Sequence, residues 1–370
     1  MKKILPNLVS ALEENKSKLA DKKVTAGFDG FVDTILRVIK EKKADHSPTY
    51  FKTIRQFGKY ITDKESSFSL EVEEVSSRIG GNMPIMANSM AHLSVRVNCI
   101  GALGHPALHP VFSRLSPNCT VYSFADPGTS TAYEFSDGKI LLGNNGQLNA
   151  AGWEIIKNKI GIETLIKLYR ESDLICFVNW SEIDASTDTW KGILNNVFPA
   201  YKKGEKKQTA FFDLSDCSKR SNEAILEAMQ LLNAFSKYCH VSLGLNNNES
   251  RLIYQSLFNK KPPKEFSRTG EKIFEKLGIE KLILHSSKEA IGYDNSGVTT
   301  APTFFIKNPA ISTGAGDNFN AGFCTAQLMG FDMQLSLLFA NAVAGSYVST
   351  GKNGNIDELI NFIQHAGKLL

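Results

Sequence analysis

The stretch AISTGAGDNFNAGF, Ala310–Phe323, places three glycines around a single acid and then turns into helix-forming sequence. The residues after Asp317 present apolar side chains at helical spacing, so the glycines lie where a helix begins. Glycine allows backbone torsions that other residues resist, and the first N–H groups of a helix carry partial positive charge. The stretch therefore predicts an anion-binding cradle at the start of a helix over about 316–329.

Asp317 is the acid in this cradle, and two roles are open for it. It could cap the helix, since an aspartate oxygen accepts hydrogen bonds from the first N–H groups. It could also act as a base. The helix N-terminus would keep the carboxylate ionised, and the carboxylate stands where phosphoryl oxygens would gather, beside an attacking hydroxyl. A carboxylate would compete with an anion bound in the cradle, so its presence there indicates a task. This favours the role of base.

Short runs rich in β-branched and aromatic residues alternate with longer amphipathic runs through most of the chain. This alternation is typical of an α/β fold, in which helices flank a mainly parallel sheet. The predicted strands are residues 23–28, 95–102, 173–179, 208–214, 239–245 and 281–286, and a strand-like run over 299–307 leads into the cradle. The predicted helices are about 82–93, 187–201, 222–237, 246–258, 316–329, 335–349 and 357–366.

Two other stretches, 68–76 and 130–144, alternate with period two, and the second contains an Asp137-Gly138 hairpin signal. Antiparallel strands that interrupt a parallel pattern predict a small β-rich lid beside the main sheet. We expect its apolar residues to share one face, which would be either the roof of a pocket or a homodimer contact.

The composition excludes several classes of protein. Of the 370 residues, 42% are hydrophobic and 22% are charged, which is typical of a globular protein with a substantial core. The chain has neither a membrane-spanning run nor a secretory signal, so we expect a cytoplasmic protein with no membrane partner. The six cysteines form no C-x-x-C pair, which predicts reduced, buried thiols. The net charge of +4 is spread over several short runs, so no nucleic-acid partner is expected.

Two motifs give the chain a resemblance to a known family. STGAGDNFNAGF (312–323) resembles the second signature of the PfkB, or ribokinase-like, carbohydrate kinases, and RIGGNMPIMANSMAHL (78–93) resembles the first. Weaker similarities lie in GFDGFVD (27–33), GALGHP (101–106), FFDLSD (211–216) and LNNNE (245–249). The resemblance implies a single ribokinase-like kinase domain over 1–370, with an N-terminal helical extension over 1–22 and a lid from about 30–38, 66–78 and 129–144.

The resemblance also implies a chemistry. The protein would be a Mg²⁺-dependent phosphotransferase that moves the terminal phosphate of ATP to an alcohol group of a sugar or sugar-like molecule. Asp317 would be the catalytic base. The amides of Gly314, Ala315 and Gly316 would form an anion hole that stabilises the transferring phosphoryl group.

Asn246 and Glu249 are the implied metal-binding pair. They lie one helical turn apart and would hold Mg²⁺ largely through water, as suits an ion that dehydrates reluctantly. The alternative is that Asn246 is an N-cap and Glu249 its capping-box partner, and the two roles can coexist.

The remaining implied contacts are made to the two substrates. Asp33 is the first candidate to clamp the acceptor hydroxyls, because carboxylates accept hydrogen bonds in fixed directions. The other acceptor candidates are Asp29, Gly80, Gly81 and Asn82, and the choice between the two acids stays open. The nucleotide is expected beside the loop over 349–355, and its candidate contacts are His285, Thr313, Gly351 and Asn353.

The chain departs from the family pattern at two motif positions. Ile85 stands where the first signature usually has asparagine, and Ile311 stands where an aspartate usually precedes the anion hole. The first motif is also similar to that of the ADP-dependent sugar kinases of the same superfamily. Two alternatives therefore remain, an ADP-dependent sugar kinase and a non-catalytic kinase-fold protein that binds sugar and nucleotide. A dehydrogenase is disfavoured, because no G-x-G-x-x-G follows the first strand.

Overall fold

The computed structural model describes residues 4–201 and 207–369, with side chains as far as residue 366. Part of one lysine-rich run in the sequence, 202–206, lies outside the described residues. The strands are β1 (Lys23–Phe28), β2 (Phe31–Lys42), β3 (Pro48–Tyr50), β4 (Val72–Gly80), β5 (Arg96–Gly101), β6 (Cys119–Ser123), β7 (Gly128–Phe135), β8 (Gly138–Asn144), β9 (Leu174–Phe177), β10 (Gln208–Asp213), β11 (Cys239–Asn246), β12 (Lys281–His285), β13 (Glu289–Asp294) and β14 (Gly297–Pro302).

The α-helices are α1 (Leu5–Asn15), α2 (Ile54–Thr62), α3 (Asn82–His92), α4 (Trp153–Ile160), α5 (Ile162–Arg170), α6 (Ser186–Asn196), α7 (Asn222–Phe235), α8 (Asn247–Phe258), α9 (Phe266–Leu277), α10 (Ala315–Leu328), α11 (Met333–Thr350) and α12 (Ile356–Leu369). In the described part of the chain, no helix is both long and apolar enough to cross a bilayer.

The main sheet has the strand order β14-β13-β12-β11-β10-β9-β1-β5-β6. From β12 to β6 in this order, neighbouring strands run parallel, and β13 and β14 add an antiparallel edge. The six predicted strands all lie in this sheet, and their observed ends differ from the predicted ones by at most two residues. The predicted α/β fold with a mainly parallel sheet is therefore confirmed.

Helices cover both faces of the main sheet. Successive residues of β9 alternate between two buried layers, with Leu174 and Cys176 in one and Ile175 and Phe177 in the other. The first layer includes side chains of α1, α3, α10, α11 and α12, and the second includes side chains of α4 to α9. Because α1 contributes buried leucines to the first layer, the segment expected as an extension is part of the core.

The second sheet is small and has the order β3-β2-β7-β8, with β4 also paired to β2. Strands β7 and β8 form the hairpin expected at 130–144. The other expected strand, 68–76, is shifted: β4 begins at Val72 and continues to Gly80, because it pairs along the whole first part of β2. Helix α2 packs on this sheet through a cluster that includes Val38, Phe51 and Phe135.

One sequence-based boundary is wrong. The run over 299–307 is not one strand, because β14 ends at Pro302 and the residues up to Ser312 form no regular element. Proline lacks the N–H that a sheet ladder needs, which explains the end of the strand. The cradle is thus reached through an irregular loop. The six cysteines, all in the described residues, are free thiols as expected.

The small sheet is joined to the main domain beside the end of β1. The chain leaves β1 at Phe28, passes through Asp29 and Gly30, and enters β2. It returns from β4 through Gly80 and Gly81 directly into α3. Both crossings thus lie at the carboxyl end of the main sheet, where ligands of open α/β sheets bind.

Candidate active site

The N-terminus of α10 is built around a left-handed glycine. Gly314 is the N-cap residue with φ +83°, a conformation that L side chains rarely adopt. A Cβ at this position would also lie 3.2 Å from Tyr347 Oη and 3.4 Å from Ile85 Cγ2. The N–H of Ala315 donates to Ser312 O over a long 3.3 Å. Within the described chain, the N–H groups of Gly314 and Gly316 have no acceptor, so the turn presents open donors as the sequence predicts.

Asp317 is the third residue of α10, and within the described residues its carboxylate accepts no hydrogen bond from an N–H group of the first turn, so it does not cap the helix. Burial raises the pKa of the Asp317 carboxyl well above its usual range, and the carboxylates of Asp213 and Asp29 raise it further. A hydrogen bond with Asn82 acts in the opposite direction. Burial and the like charges therefore oppose the ionisation that the helix N-terminus favours.

Asp213, which the sequence offered only as part of a weaker motif, is a buried member of the site. It ends β10 and accepts hydrogen bonds from the N–H of Ser215 at 2.7 Å and from Asn320 Nδ2. Burial raises the pKa of its carboxyl. Asn320 lies one turn after Asp317 on α10, and its buried Oδ1 has no partner in the described residues. Strand β10 and helix α10 are thus tied together beside the candidate base.

Asn246 and Glu249 form a complete capping box at the start of α8. The N–H of Glu249 donates to Asn246 Oδ1 at 3.0 Å, and the N–H of Asn246 donates to Glu249 Oε2 at 2.8 Å. Asn246 Nδ2 also donates to Glu249 Oε1 at 2.6 Å. Burial raises the pKa of Glu249 well above its usual range, and the charge of Asp213 adds to the effect. The capping alternative is therefore realised, and it leaves a buried carboxyl group in place.

The carboxylates of Asp213, Glu249 and Asp317 fit a bound magnesium ion. Carboxylate oxygens are hard ligands, and a dication would relieve the repulsion that adds to burial in raising the pKa values of Glu249 and Asp317. Among residues 4–201 and 207–369, no three His, Cys, Asp or Glu side chains converge closely enough to ligate one ion directly. An ion here would be held largely through water, as suits Mg²⁺.

Asp29 is fully buried, and its carboxylate is occupied by the protein itself. The N–H groups of Asn82 and Met83, the first two of α3, donate to it at 2.7 and 2.8 Å, and Asn179 Nδ2 donates at 2.6 Å. Burial raises its pKa to about 6, although these three hydrogen bonds oppose the shift. A Cβ on Gly81, which has φ +89°, would lie 2.7 Å from Asp29 Oδ2. The Gly-Gly motif thus lets Asp29 cap α3 from outside the helix.

Asp33 is differently placed. It lies on β2 directly opposite Arg78 of β4, and its Oδ1 lies 2.2 Å from where a Cβ on Gly80 would be. Burial raises the pKa of Asp33, while the Arg78 charge lowers it. Within the described residues no hydrogen-bond donor is placed on its carboxylate. Of the two acids, Asp33 is the one with its oxygens available.

Arg78 and Tyr347 are members of the site that sequence reasoning missed. Asp317 and Asp33 both raise the pKa of Tyr347, after burial as the main cause, and Arg78 lowers it. The Tyr347 hydroxyl donates to Thr313 O at 3.3 Å. Arg78 opens the quoted first motif, so its position was a usable signal. Tyr347 lies in the last turn of α11, where nothing in the sequence distinguishes it from a core residue.

The four residues expected at the nucleotide lie around the start of α10 and the end of α11. His285 ends β12, its ring stacks on Phe319 at 4.8 Å, and burial lowers its pKa to about 4. Thr313 is exposed, and Gly351 is the left-handed C-cap of α11. Asn353 follows in the loop before α12, and Asn353 Nδ2 donates to Asn318 Oδ1 at 2.8 Å. These four residues thus lie in one region at the carboxyl end of the main sheet.

This chain is similar in sequence to known sugar kinases. A family model described as prokaryotic ketohexokinase matches residues 5–366. A ketohexokinase from Haloferax volcanii is 26% identical over 343 residues, which are 92% of this chain and 90% of that protein. A ribokinase from Bacillus subtilis is 27% identical over 191 residues, 48% of this chain and 62% of that protein.

Solved structures share the fold. A putative ribokinase II from E. coli in complex with ATP and Mg²⁺ has a TM-score of 0.62 at 15% identity, covering 93% of this chain and 99% of that one. A ribokinase from Arabidopsis thaliana complexed with ribose and ATP has a TM-score of 0.63 at 15% identity, covering 93% of this chain and 98% of that one. At this level of identity the likeness shows the fold, a ribokinase-like α/β domain with a separate small sheet.

Proposed function

Because this chain belongs to the prokaryotic ketohexokinase family of carbohydrate kinases, we propose that it transfers the terminal phosphoryl group of ATP to a hydroxyl of a ketohexose. The membership confirms the resemblance to the PfkB kinases. The proposal also names the acceptor class, which the motifs alone left open among sugars, sugar phosphates and nucleosides.

One observation supports the chemistry most directly. The first turn of α10 has no side-chain cap in the described structure, while Asp317 sits in that turn without capping it. A helix start with open N–H groups stabilises phosphoryl charge, and an adjacent basic carboxylate accepts a hydroxyl proton. The raised pKa of Asp317 makes its carboxylate a stronger proton acceptor once it is ionised. A non-catalytic binding protein has no need for this combination.

In the proposed reaction the acceptor is clamped by Asp33, with Gly80, Gly81 and Asn82 at its side. Asp317 takes the proton from the reacting hydroxyl as its oxygen attacks the terminal phosphorus, and the bond from that phosphorus to the bridging oxygen breaks to leave ADP. The amides of Gly314, Ala315 and Gly316 stabilise the charge on the transferring group.

For the metal, Glu249 and Asn246 would hold Mg²⁺ largely through water, near Asp213. Bound Mg²⁺ neutralises phosphate charge during transfer. The nucleotide would lie along His285, Thr313 and the loop that contains Gly351. Neutral His285, with its lowered pKa, offers a flat surface there without a competing charge.

The proposed function is tested by measuring phosphorylated product directly. Purified protein is incubated with fructose, tagatose or sorbose, and with aldoses and nucleosides as comparisons, each with Mg-ATP or Mg-ADP. We expect turnover of at least one ketohexose with Mg-ATP. Turnover confined to Mg-ADP would establish the ADP-dependent alternative, and nucleotide binding without any product would establish the non-catalytic one.

Glu249→Gln should raise the Mg²⁺ concentration needed for half-maximal rate. Glutamine keeps one oxygen that can accept from the N–H of Asn246, so the capping box should persist, although its amide nitrogen cannot accept from Asn246 Nδ2 and that hydrogen bond is lost. One carboxylate charge is lost from the metal site. The measurement is a titration of Mg²⁺ against initial rate, with thermal melting of the same sample. An unchanged metal requirement together with a lower melting temperature would leave Glu249 with a capping role alone.

A homodimer through the small sheet is the proposed assembly. The sheet and the segment before β4 carry large exposed apolar side chains, including Leu141 at 67% and Leu142 at 56% exposure. We expect a dimer in light scattering at micromolar concentration, and a monomer when both leucines are changed to lysine. Val298→Lys, at an exposed site on β14 of the main sheet, is the matched control and should leave the dimer intact. A monomeric wild-type protein would refute the assembly.

A further inference from the structure

Three asparagines join the start of α10 to two other parts of the chain. Asn88 Nδ2 donates to Asn353 Oδ1 at 2.9 Å, and Asn353 Nδ2 donates to Asn318 Oδ1 at 2.8 Å. Asn318 Nδ2 in turn donates to the carbonyl oxygen of Gly314 at 2.8 Å. The series begins at the N–H of Ser116, which donates to Asn88 Oδ1 at 2.9 Å. All four bonds run in the same direction, and we refer to the three side chains as the amide relay.

Each member of the amide relay uses its oxygen to accept and its nitrogen to donate. A side-chain amide is one of the few groups that can do both in fixed directions, so a change at one place breaks the sequence of donors and acceptors. Asn318 is fully buried, and both of its polar atoms are used in the relay. A buried polar network of this kind persists only when every member is satisfied.

The relay ends on a carbonyl of the anion hole. Gly314 O accepts from both the N–H of Asn318 at 3.0 Å and its side chain. Because a peptide group is planar, fixing this carbonyl also fixes the direction of the N–H of Ala315 on the opposite edge of the same peptide. That N–H makes only a long 3.3 Å bond to Ser312 O, which a phosphoryl oxygen could replace.

We propose that the amide relay positions the anion hole. It holds the Gly314–Ala315 peptide in a fixed position relative to α3 on the acceptor side and to the loop of Asn353 on the nucleotide side. This inference rests on the function proposed above. It gives Asn353 a task other than the direct nucleotide contact that the sequence resemblance implies, since both polar atoms of its side chain are committed to the relay. The three asparagines are positioning residues, because none of them needs to touch a substrate.

The test uses Asn353→Asp and Asn318→Ala in the full-length protein. An aspartate at 353 still accepts from Asn88 but cannot donate to Asn318, whose amide would then turn its oxygen toward the Gly314 carbonyl. We expect kcat to fall about 10-fold or more in both variants, because a displaced anion-hole donor acts on the transition state. KM for the ketohexose and for Mg-ATP should stay within about threefold of wild type, since ground-state contacts are kept.

A matched control separates positioning from simple loss of stability. Asn341 is another buried asparagine, and its Nδ2 donates to Pro302 O at 3.1 Å, next to β14 rather than the anion hole. Asn341→Ala should lower the melting temperature and leave kcat unchanged. If the relay variants keep kcat within about twofold of wild type, the inference is overturned. A rise in KM for Mg-ATP at unchanged kcat also overturns it, and makes Asn353 a nucleotide contact instead.

Failure of the proposed function has a different signature. If the wild type phosphorylates no ketohexose, that function fails, and the relay is then measured by the rise in melting temperature that inorganic phosphate produces, because a bound anion stabilises the folded state. The rise should be smaller in Asn353→Asp than in the wild type. An equal rise in both, or no rise in the wild type, overturns the relay.

Discussion

Asp317→Asn is expected to abolish turnover while substrate binding persists. Asparagine has the size of aspartate but cannot accept the hydroxyl proton. General-base catalysis typically contributes about 10² to 10⁴-fold in rate, and the loss should lie at the upper end because Asp317 would also orient the attacking hydroxyl. Calorimetric titration with Mg-ADP should give an affinity equal to or better than that of the wild type, since a negative charge near the phosphates is removed.

The same variant should also melt at a higher temperature near neutral pH. The pKa of Asp317 is raised in the folded state, so its contribution to stability is present at low pH and is lost as the pH rises through the folded pKa. The asparagine side chain of the variant carries no charge to bury, so the difference in melting temperature should appear at pH 7 and vanish near pH 4. A variant that keeps more than about a tenth of the wild-type kcat would remove Asp317 from the role of base.

Asp33→Ala should produce the second largest loss, about 10²-fold or more in kcat/KM for the ketohexose. The carboxylate of Asp33 has no hydrogen-bond donor within the described residues, and Asp33 is paired with Arg78 on the neighbouring strand β4. Removing it leaves sugar hydroxyls without a partner in a closed site. Steady-state kinetics with varied sugar should show the loss, and Mg-ATP affinity measured by calorimetry should be unchanged.

Asp29→Ala is the informative comparison for Asp33. Three N–H donors would lose their acceptor, two of them at the start of α3. Unsatisfied buried donors cost about 1–3 kcal/mol each, so this variant should lose stability before it loses specificity. If Asp29→Ala removes sugar recognition in a protein of normal melting temperature, and Asp33→Ala does not, the assignment of the two acids is reversed.

Much of the fold could be predicted because its main sheet has a strong local signature. The buried parallel strand β9 reads as a continuous apolar run, and the glycine-rich turn marks the start of α10. The small sheet was harder to delimit. The start of β4 is set by its pairing with β2, which lies some forty residues earlier and leaves no mark in the local alternation.

The site residues that lie in sequence motifs could be predicted. Those that the packing of distant elements brings to the site could not. Asp317, Gly81 and Glu249 all lie in short recognisable stretches. Tyr347 lies on α11, a helix that is apolar nearly all round, so no periodicity shows which side chain reaches Gly314. The raised pKa of Asp317 could not be predicted for a related reason, because neither its burial nor the charge of Asp213, which comes from a different strand, can be read from the local sequence.

Two of the four chain crossings between the sheets run through residues that are also the proposed sugar contacts, and the other two lie between β6 and β7 and after β8. The chain enters the small sheet past Asp29 and comes back past Gly80 and Gly81. A movement of the small sheet about residues that contact the ligand would change the affinity for that ligand. By reciprocity, the bound ligand would favour one position of the small sheet. Sugar binding would thereby determine whether the phosphoryl group is transferred to the sugar or to water. Without bound sugar, the groups that activate a nucleophile would not be assembled around one, and the proposed donor ATP would be spared from wasteful hydrolysis.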